Sequence, residues 1–255
     1  MKNCEKPIGF FDSGVGGISV LRDSVNLMPN ENFIYFGDSK NAPYGTKSVG
    51  EVRDLAVANA EMLVSLGVKA IVIACNSATS AAAELLRQKY PDLPVIGVEP
   101  AIKPAVLYKE GGSVLVMATD MTLGENKFKA LLDKYKGMCN IELLPCPGLM
   151  EWVEKGILEG EEVEKFVDGL LSDYKGRIDR IVLGCTHYPF LSKTIKKVMG
   201  EEVVLFDGGE GTARELLRRL KGMNIENTGK NKGEIKFLNS KNEDEIELSK
   251  RLFSC

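Results

Sequence analysis

Two stretches of the chain share one pattern, and together they decide its fold. Residues 71–79 read Ile-Val-Ile-Ala-Cys-Asn-Ser-Ala-Thr, and residues 181–189 read Ile-Val-Leu-Gly-Cys-Thr-His-Tyr-Pro. Each begins with an apolar, mainly β-branched run, which is typical of a strand buried on both faces. Each then passes through a cysteine and small polar residues into a helical pattern. The repeat predicts a strand-to-helix turn with a thiol at its corner in each half of the chain.

The rest of the sequence continues this alternation of strands and helices. The spacing of apolar residues predicts strands at 7–11, 32–36, 69–74, 95–98, 113–118, 141–144, 178–183, 203–206 and 235–238. It predicts helices at 17–27, 48–66, 77–90, 101–109, 123–134, 161–173, 190–199, 211–220 and 244–253. Continuous apolar strands separated by helices predict an α/β fold with parallel sheets covered on both faces.

The spacing of the two cysteine motifs indicates how this fold is organised. Cys75 and Cys185 lie 110 residues apart (185 − 75). This distance predicts two similar lobes, each a parallel sheet flanked by helices, with the active site in the cleft between them. We expect the first lobe to comprise residues 1–98 and 207–255, and the second to comprise residues 99–206.

Composition excludes several classes of protein. The 255 residues are 44% hydrophobic and 27% charged, with a net charge of −3, as in soluble globular proteins. The acidic balance indicates no nucleic-acid partner. No apolar run approaches the roughly 20 residues that a spanning helix needs, and the N-terminal segment lacks the apolar core of a signal peptide. We therefore expect a cytoplasmic protein with no membrane partner.

The two cysteines are the first candidates for catalysis. A thiol that opens a helix faces unpaired N–H groups and the positive end of the helix dipole, and both lower its pKa from about 8.5. Asn76, Ser77 and Thr186 place amides and hydroxyls beside the two thiols. A single such cysteine is more often a small packing residue, but two in matching contexts favour function. Two facing thiols can remove a proton from one side of a carbon and return one to the other.

Asp12 and His187 are the next candidates. Asp12 ends the first predicted strand before a glycine turn, where it could cap the next helix, orient a thiol or receive a substrate ammonium. His187 is the only histidine in the chain and follows Cys185 by two residues. It could donate a proton, stabilise a thiolate or bind a carboxylate, although a lone histidine is commonly a core residue.

Other interpretations remain open from the residues alone. Residues 14–19 approximate the fingerprint Gly-x-Gly-x-x-Gly except at Ser19, and Asp38 stands near the position of a ribose-binding acid; together they would suit a nicotinamide-dependent oxidoreductase. The two cysteines with His187 could bind zinc, although no paired-ligand spacing occurs. They could also form a redox pair if their sulfurs can bond. A binding protein for an acidic amino acid would share the two lobes without turnover.

Four motifs carry a resemblance to a known family that covers nearly the whole chain. They are Phe11-Asp12-Ser13-Gly14-Val15-Gly16-Gly17, Pro43-Tyr44-Gly45, Ala74-Cys75-Asn76-Ser77-Ala78-Thr79 and Gly184-Cys185-Thr186-His187-Tyr188-Pro189. With these motifs the chain resembles the glutamate racemases of the cofactor-independent aspartate/glutamate racemase superfamily. It departs from the family pattern at Ala118, where the family usually has glycine before the threonine.

The resemblance implies an isomerase that racemises L- and D-glutamate with no cofactor and no metal. It implies a homodimer that supplies D-glutamate for peptidoglycan synthesis, and so for cell wall biogenesis and cell shape. Another acidic amino acid, such as aspartate, is the alternative substrate, and a nicotinamide-dependent oxidoreductase is the less favoured alternative function.

The resemblance also implies roles for individual residues. Cys75 would remove the α-proton of D-glutamate with support from Asp12. Cys185 would remove that of L-glutamate with support from His187 and Glu154. The residues implied to line the substrate are Asp12, Ser13, Pro43, Tyr44, Gly45, Asn76, Ser77, Thr119, Thr186 and His187.

Overall fold

The structure, a computed structural model, describes residues 3–255, apart from the side chains of residues 126 and 127. Met1 and Lys2, which begin the segment where we expect no signal peptide, lie outside the described residues. The chain divides into two compact units. Unit 1 comprises Met1–Glu99 and Gly209–Cys255, and unit 2 comprises Pro100–Gly208.

Residues 3–255 form nine strands and eleven α-helices. The strands are β1 (Ile8–Asp12), β2 (Phe33–Gly37), β3 (Ala70–Ile73), β4 (Val95–Gly97), β5 (Ser113–Ala118), β6 (Asn140–Pro145), β7 (Arg180–Leu183), β8 (Val204–Asp207) and β9 (Ile235–Asn239). The helices are α1 (Ile18–Leu27), α2 (Val49–Ser65), α3 (Asn76–Lys89), α4 (Ile102–Leu107), α5 (Asp120–Gly124), α6 (Asn126–Asp133), α7 (Met150–Glu154), α8 (Glu161–Leu171), α9 (Ser192–Met199), α10 (Gly209–Gly222) and α11 (Glu243–Phe253).

Unit 1 is built on a five-stranded parallel sheet in the order β4-β3-β1-β2-β9. Every residue of β1 and β3 is buried, which is why both read as continuous apolar runs in the sequence. Asp12 pairs with Gly37, and Phe11 pairs with Ile73. The carboxyl ends of β1, β2 and β3 therefore lie at the same edge of the sheet.

Unit 2 is built on a four-stranded parallel sheet in the order β6-β5-β7-β8. All four residues of β7 are buried, as are the last five of β5. Met117 pairs with Leu183, so Thr119 and Cys185 both follow the carboxyl ends of neighbouring strands. An apolar core packs on this sheet and includes Ile102, Phe128 and Val182.

The predicted α/β fold with two parallel sheets flanked by helices is confirmed. One predicted helix is wrong: residues 123–134 form two helices, because Glu125 has an extended backbone (φ −69°, ψ 138°) that separates α5 from α6. Helix α7 was not predicted from the sequence. Residues 188–191 form a 3-10 turn rather than the start of an α-helix, and another 3-10 turn, Asn3–Glu5, precedes β1.

Among the described residues, no helix combines the length and the apolar character that crossing a membrane requires.

Candidate active site

The predicted thiol of unit 1 lies at the carboxyl edge of the sheet, where ligands gather in open parallel sheets. Cys75 occupies the N-cap position of α3 with an extended backbone (φ −133°, ψ 123°), and its carbonyl oxygen accepts a hydrogen bond from the Thr79 N–H at 2.8 Å. Its Sγ lies 3.8 Å from Ser13 Oγ. Cys75 is 6% exposed, so this cysteine begins the helix from a largely buried position.

Asp12 ends β1 beside this thiol segment and is fully buried. Its Oδ2 accepts a hydrogen bond from the Gly14 N–H at 3.0 Å, within the turn that follows the strand. Asp12 is not the N-cap of α1: that position belongs to Gly17, where no side chain caps the helix. The carboxylate therefore stays at the strand end.

Gly17 is required for this arrangement because a Cβ there would lie 2.7 Å from the Asp12 Cβ and 2.8 Å from the Ala74 Cβ. Those distances are shorter than real Cβ contacts, so any side chain at this position must displace Asp12 or Ala74. The glycine loop read as a nucleotide fingerprint thus has a clear packing role between β1, β3 and α1.

Tyr44, from the predicted Pro43-Tyr44-Gly45 motif, is buried in a hydrogen-bond network. Its hydroxyl donates to Asp38 Oδ2 at 2.6 Å and accepts from Asn59 Nδ2 at 3.0 Å. Asn41 Nδ2 lies 3.0 Å from each oxygen of Asp38. Burial is the main cause that raises the pKa of Tyr44 far above its usual value, followed by the hydrogen bond to Asp38 and the charges of Asp38 and Cys75.

This network changes the interpretation of Asp38. Its carboxylate accepts hydrogen bonds from Tyr44 and Asn41 and is buried. It is therefore engaged in holding the segment after β2, which is a different role from the ribose-binding acid considered from the sequence.

The predicted thiol of unit 2 follows β7 through Gly184. A Cβ at Gly184 would lie 2.8 Å from the Met117 carbonyl oxygen and 3.0 Å from the Ala118 Cβ, so the residue before the thiol has to be glycine for β7 to pass this close to β5. The Cys185 side chain is buried, and its carbonyl oxygen accepts from the Tyr188 N–H at 3.0 Å.

His187 joins Cys185 to Glu154. Its Nδ1 lies 3.6 Å from Cys185 Sγ, and its Nε2 lies 2.6 Å from Glu154 Oε1. Burial by itself lowers the pKa of His187, but hydrogen bonds to Cys185 and Glu154 and the charges of both outweigh it, so the pKa lies well above its usual value. The histidine can therefore carry a proton beside the thiol, stabilise a thiolate, or return that proton.

Glu154 reaches the histidine because of α7, the short helix absent from our sequence prediction. Gly148 (φ +82°) precedes this helix and Gly156 (φ +70°) follows it, and both take the left-handed backbone that favours glycine. Glu154 is the last residue of α7. Its pairing with His187 follows from their direct contact in the structure. In the sequence, the choice of Glu154 rests only on the family resemblance.

The remaining predicted residues follow strand ends of their own units, except Pro43 and Gly45, which lie further along the chain after β2. Asn76, Ser77 and Thr186 are buried. Thr119 is the N-cap of α5: its Oγ1 accepts from the Thr122 N–H at 3.3 Å. Pro43 and Gly45 flank Tyr44 in the chain.

The structure thus groups the predicted residues within each unit. In unit 1, Cys75 contacts Ser13, and Asp12 lies at the adjoining strand end. In unit 2, Cys185, His187 and Glu154 form one connected set. Among the described residues, no group of three or more histidine, cysteine, aspartate or glutamate side chains is arranged to hold a metal ion.

The sequence reasoning missed Asn59 and Asn41. The only signal for Asn59 was an amide on the apolar face of a long helix, which was masked by its apolar neighbours. Cys146 is a further buried thiol of unit 2. Burial, followed by the charges of Cys185 and Asp120, raises the pKa of its thiol well above the usual value, so it is a poor nucleophile.

Comparison with known proteins decides the family. Residues 21–216 match the family described as Asp/Glu/Hydantoin racemase. The chain belongs to the Asp/Glu/hydantoin racemase family. A glutamate racemase from Clostridium botulinum is 52% identical over 254 residues, which cover 99% of this chain and 98% of that protein.

Solved structures of racemases in this family share the fold. Glutamate racemase from Francisella tularensis, in complex with D-glutamate, has a TM-score of 0.84 and 30% identity and covers 99% of this chain and 95% of its own. A glutamate racemase isoform from Bacillus anthracis has a TM-score of 0.87 and 32% identity, with coverage of 98% and 94%. The predicted family, fold class and class of enzyme, an isomerase, are therefore confirmed.

Proposed function

We propose that this chain interconverts L-glutamate and D-glutamate without a cofactor, by proton transfer at the α-carbon between Cys75 and Cys185. One observation carries the proposal: each unit presents a buried thiol at the carboxyl end of a strand, with a polar partner beside it. The partner is Ser13 for Cys75 and His187 for Cys185. The racemase relatives support glutamate as the substrate.

The proposed reaction uses each thiol once as a base and once as an acid. From D-glutamate, the Cys75 thiolate removes the α-proton and the Cys185 thiol donates a proton to the opposite face of the carbon; from L-glutamate the roles reverse. The two sulfurs must therefore start each direction in opposite protonation states. Asp12 supports proton transfer at Cys75, and His187 with Glu154 supports it at Cys185.

The carbanion formed in this step has to be stabilised by hydrogen-bond donors, because an α-proton is only weakly acidic. Donors aimed at the α-carboxylate, where charge develops, provide that stabilisation most effectively in a water-excluded site. We assign this role to Asn76, Ser77 and Thr186. Ser13, Pro43, Tyr44, Gly45 and Thr119 would complete the contacts with glutamate.

The proposed product and the two thiols suggest a cellular role and a cellular location. D-glutamate would serve peptidoglycan synthesis, and thereby cell wall biogenesis and cell shape, as the family resemblance implies. Two catalytic thiols must remain reduced, which favours the cytoplasm. We expect a homodimer, the commonest assembly of soluble chains.

Circular dichroism of the substrate tests the proposal. L-glutamate should lose its signal completely on adding enzyme, because the two free enantiomers are equal in energy. Cys75→Ala and Cys185→Ala should each abolish this loss, whereas the control Cys139→Ala should retain it. A stable signal with the unaltered enzyme, or full activity in either variant, would contradict the proposal. The same assay with L-aspartate decides the substrate, and tight binding of NAD by calorimetry would favour the oxidoreductase instead.

A further inference from the structure

Asn59 is a buried amide where the pattern of α2 calls for an apolar residue. Its side chain lies on the helix face that also buries Val52, Ala56, Ala60 and Leu63, and the residue is 7% exposed. Its Nδ2 donates to the Tyr44 hydroxyl oxygen at 3.0 Å. A buried amide costs stability unless it is hydrogen-bonded, and this one is bonded to a residue of the Pro43-Tyr44-Gly45 motif.

The direction of these hydrogen bonds is defined by Asn59. Because its amide donates to the Tyr44 oxygen, the Tyr44 proton is directed to Asp38 Oδ2, 2.6 Å away. Asp38 is tied in turn to the strand that carries Asp12, since its N–H donates to the Asp12 carbonyl oxygen at 2.9 Å. The Asn59 amide donates to the Tyr44 hydroxyl, which donates to the Asp38 carboxylate, so the three groups form one buried chain of hydrogen bonds that ends at the edge of the sheet.

This chain packs on the helix that Cys75 begins. The 3-10 turn Tyr44–Thr46 packs on α3, whose N-cap is Cys75, and α2 packs on the same helix. The charge of Cys75 contributes to the raised pKa of Tyr44, after burial and the effects of Asp38.

We propose that Asn59 is a positioning residue for the proton transfer at Cys75, acting through Tyr44. By fixing the Tyr44 hydroxyl on Asp38, it holds the turn that carries Pro43 and Gly45 against the start of α3. This inference rests on the proposed function, since it concerns one half of the proposed racemisation.

A double-mutant cycle tests the link between the two residues. Asn59→Leu removes the donor at similar volume, and Tyr44→Phe removes its acceptor. Each should lower kcat/KM for glutamate about tenfold, as measured by circular dichroism, and the double variant should fall no further, because coupled residues are not additive. Additive losses, or kcat/KM equal to that of the unaltered enzyme in Asn59→Leu, would overturn the inference.

Exchange of the α-proton in deuterium oxide identifies the thiol that is affected. In a Cys185→Ser background, where Cys75 acts alone on D-glutamate, Asn59→Leu should slow exchange about tenfold, by the same coupling. In a Cys75→Ser background, exchange of L-glutamate by Cys185 should be unchanged. If the role of Asn59 is purely structural, Asn59→Leu should slow both exchange reactions equally. That result would overturn the inference. If neither single-cysteine enzyme exchanges, the double-mutant cycle decides alone.

Controls separate positioning from loss of stability and from failure of the proposed function. Leu252→Ala, in the buried part of α11, should lower the thermal midpoint without lowering kcat/KM. If Asn59→Leu does not fold, Asn59→Ser provides the same test with a smaller side chain. An unaltered enzyme that does not racemise glutamate refutes the proposed function; an active one with an unaffected Asn59→Leu variant refutes only the role of Asn59.

Discussion

The His187 imidazole has a different partner on each ring nitrogen, the Cys185 thiol on Nδ1 and the Glu154 carboxylate on Nε2. Both partners raise the pKa of His187 against the opposing effect of burial. The folded-state pKa therefore exceeds the unfolded value of about 6.5. The protonated histidine stabilises the fold fully below that pH, and this contribution is lost as the pH rises through the folded-state pKa.

Glu154→Gln should lower the pKa of His187, because it removes the negative charge 2.6 Å from Nε2. The measurement is NMR titration of the imidazole protons, and assignment is immediate because the chain has one histidine. Glu151→Gln, on the same helix α7, is the matched control and should leave the titration midpoint in place. A midpoint that stays the same or rises in Glu154→Gln would show that the carboxylate does not hold the proton on His187.

At the scale of the elements, the turn from β1 to α1 depends on the absence of a side chain at Gly17. Gly17→Ala should lower turnover and cost about 1–3 kcal/mol of unfolding free energy, because the added methyl overlaps Asp12 and Ala74. Urea denaturation and the circular dichroism assay measure the two effects.

The control for this substitution is Gly211→Ala in α10, where an added Cβ meets no atom within 4 Å. Since alanine favours helix over glycine, this variant should gain up to about 1 kcal/mol and keep its activity. Equal effects at the two positions would mean that the close approach of β1, β3 and α1 is not what requires Gly17.

A comparison of the observed strands and helices with the predicted ones shows which elements the sequence reveals and which it does not. Strands β3 and β7 were predicted because both their faces are buried, which leaves apolar runs at residues 70–73 and 181–183; the buried Arg180, at the start of β7, is the one charged residue in these two strands. The break between α5 and α6 was missed because Glu125 is a good helix former, and nothing in its side chain signals an extended backbone. Helix α7 was missed because five residues are too few to show a period.

The residues of the candidate site also divide into those whose position the sequence predicts and those whose contacts it does not. Cys75, Cys185 and Asp12 stand at strand ends that the pattern predicts, so their position followed from topology. The contact of Glu154 with His187 bridges 33 residues of sequence, and that of Asn59 with Tyr44 bridges 15. Both depend on how loops and helices pack, which no local pattern reports.

At the scale of the molecule, unit 1 is assembled from segments that are distant in the sequence. Lys69 Nζ, fully buried, donates to Glu31 Oε2 at 2.5 Å, to the Cys4 carbonyl oxygen at 2.6 Å and to the Ile225 carbonyl oxygen at 2.8 Å. This ion pair and its hydrogen bonds join the N-terminal turn, the residues just before β2 and β3, and the segment that follows α10.

Lys69→Met should destabilise the protein by about 3–5 kcal/mol, because it leaves the buried Glu31 carboxylate without its counter-charge. Lys69→Met combined with Glu31→Leu should recover much of that loss, since the uncompensated charge is then removed. Urea denaturation measures both. If Lys69→Met alone is as stable as the unaltered protein, the ion pair of Lys69 and Glu31 does not hold these segments together.

We propose that the two thiols act on opposite faces of the glutamate α-carbon, Cys75 from unit 1 on one face and Cys185 from unit 2 on the other. The most direct test is proton exchange in deuterium oxide with Cys185→Ser and Cys75→Ser, followed by NMR of the α-proton and by chiral analysis. We expect Cys185→Ser to exchange D-glutamate only and Cys75→Ser to exchange L-glutamate only, and we expect neither variant to racemise glutamate. Racemisation by either variant, or exchange of the same enantiomer by both, would contradict this proposal.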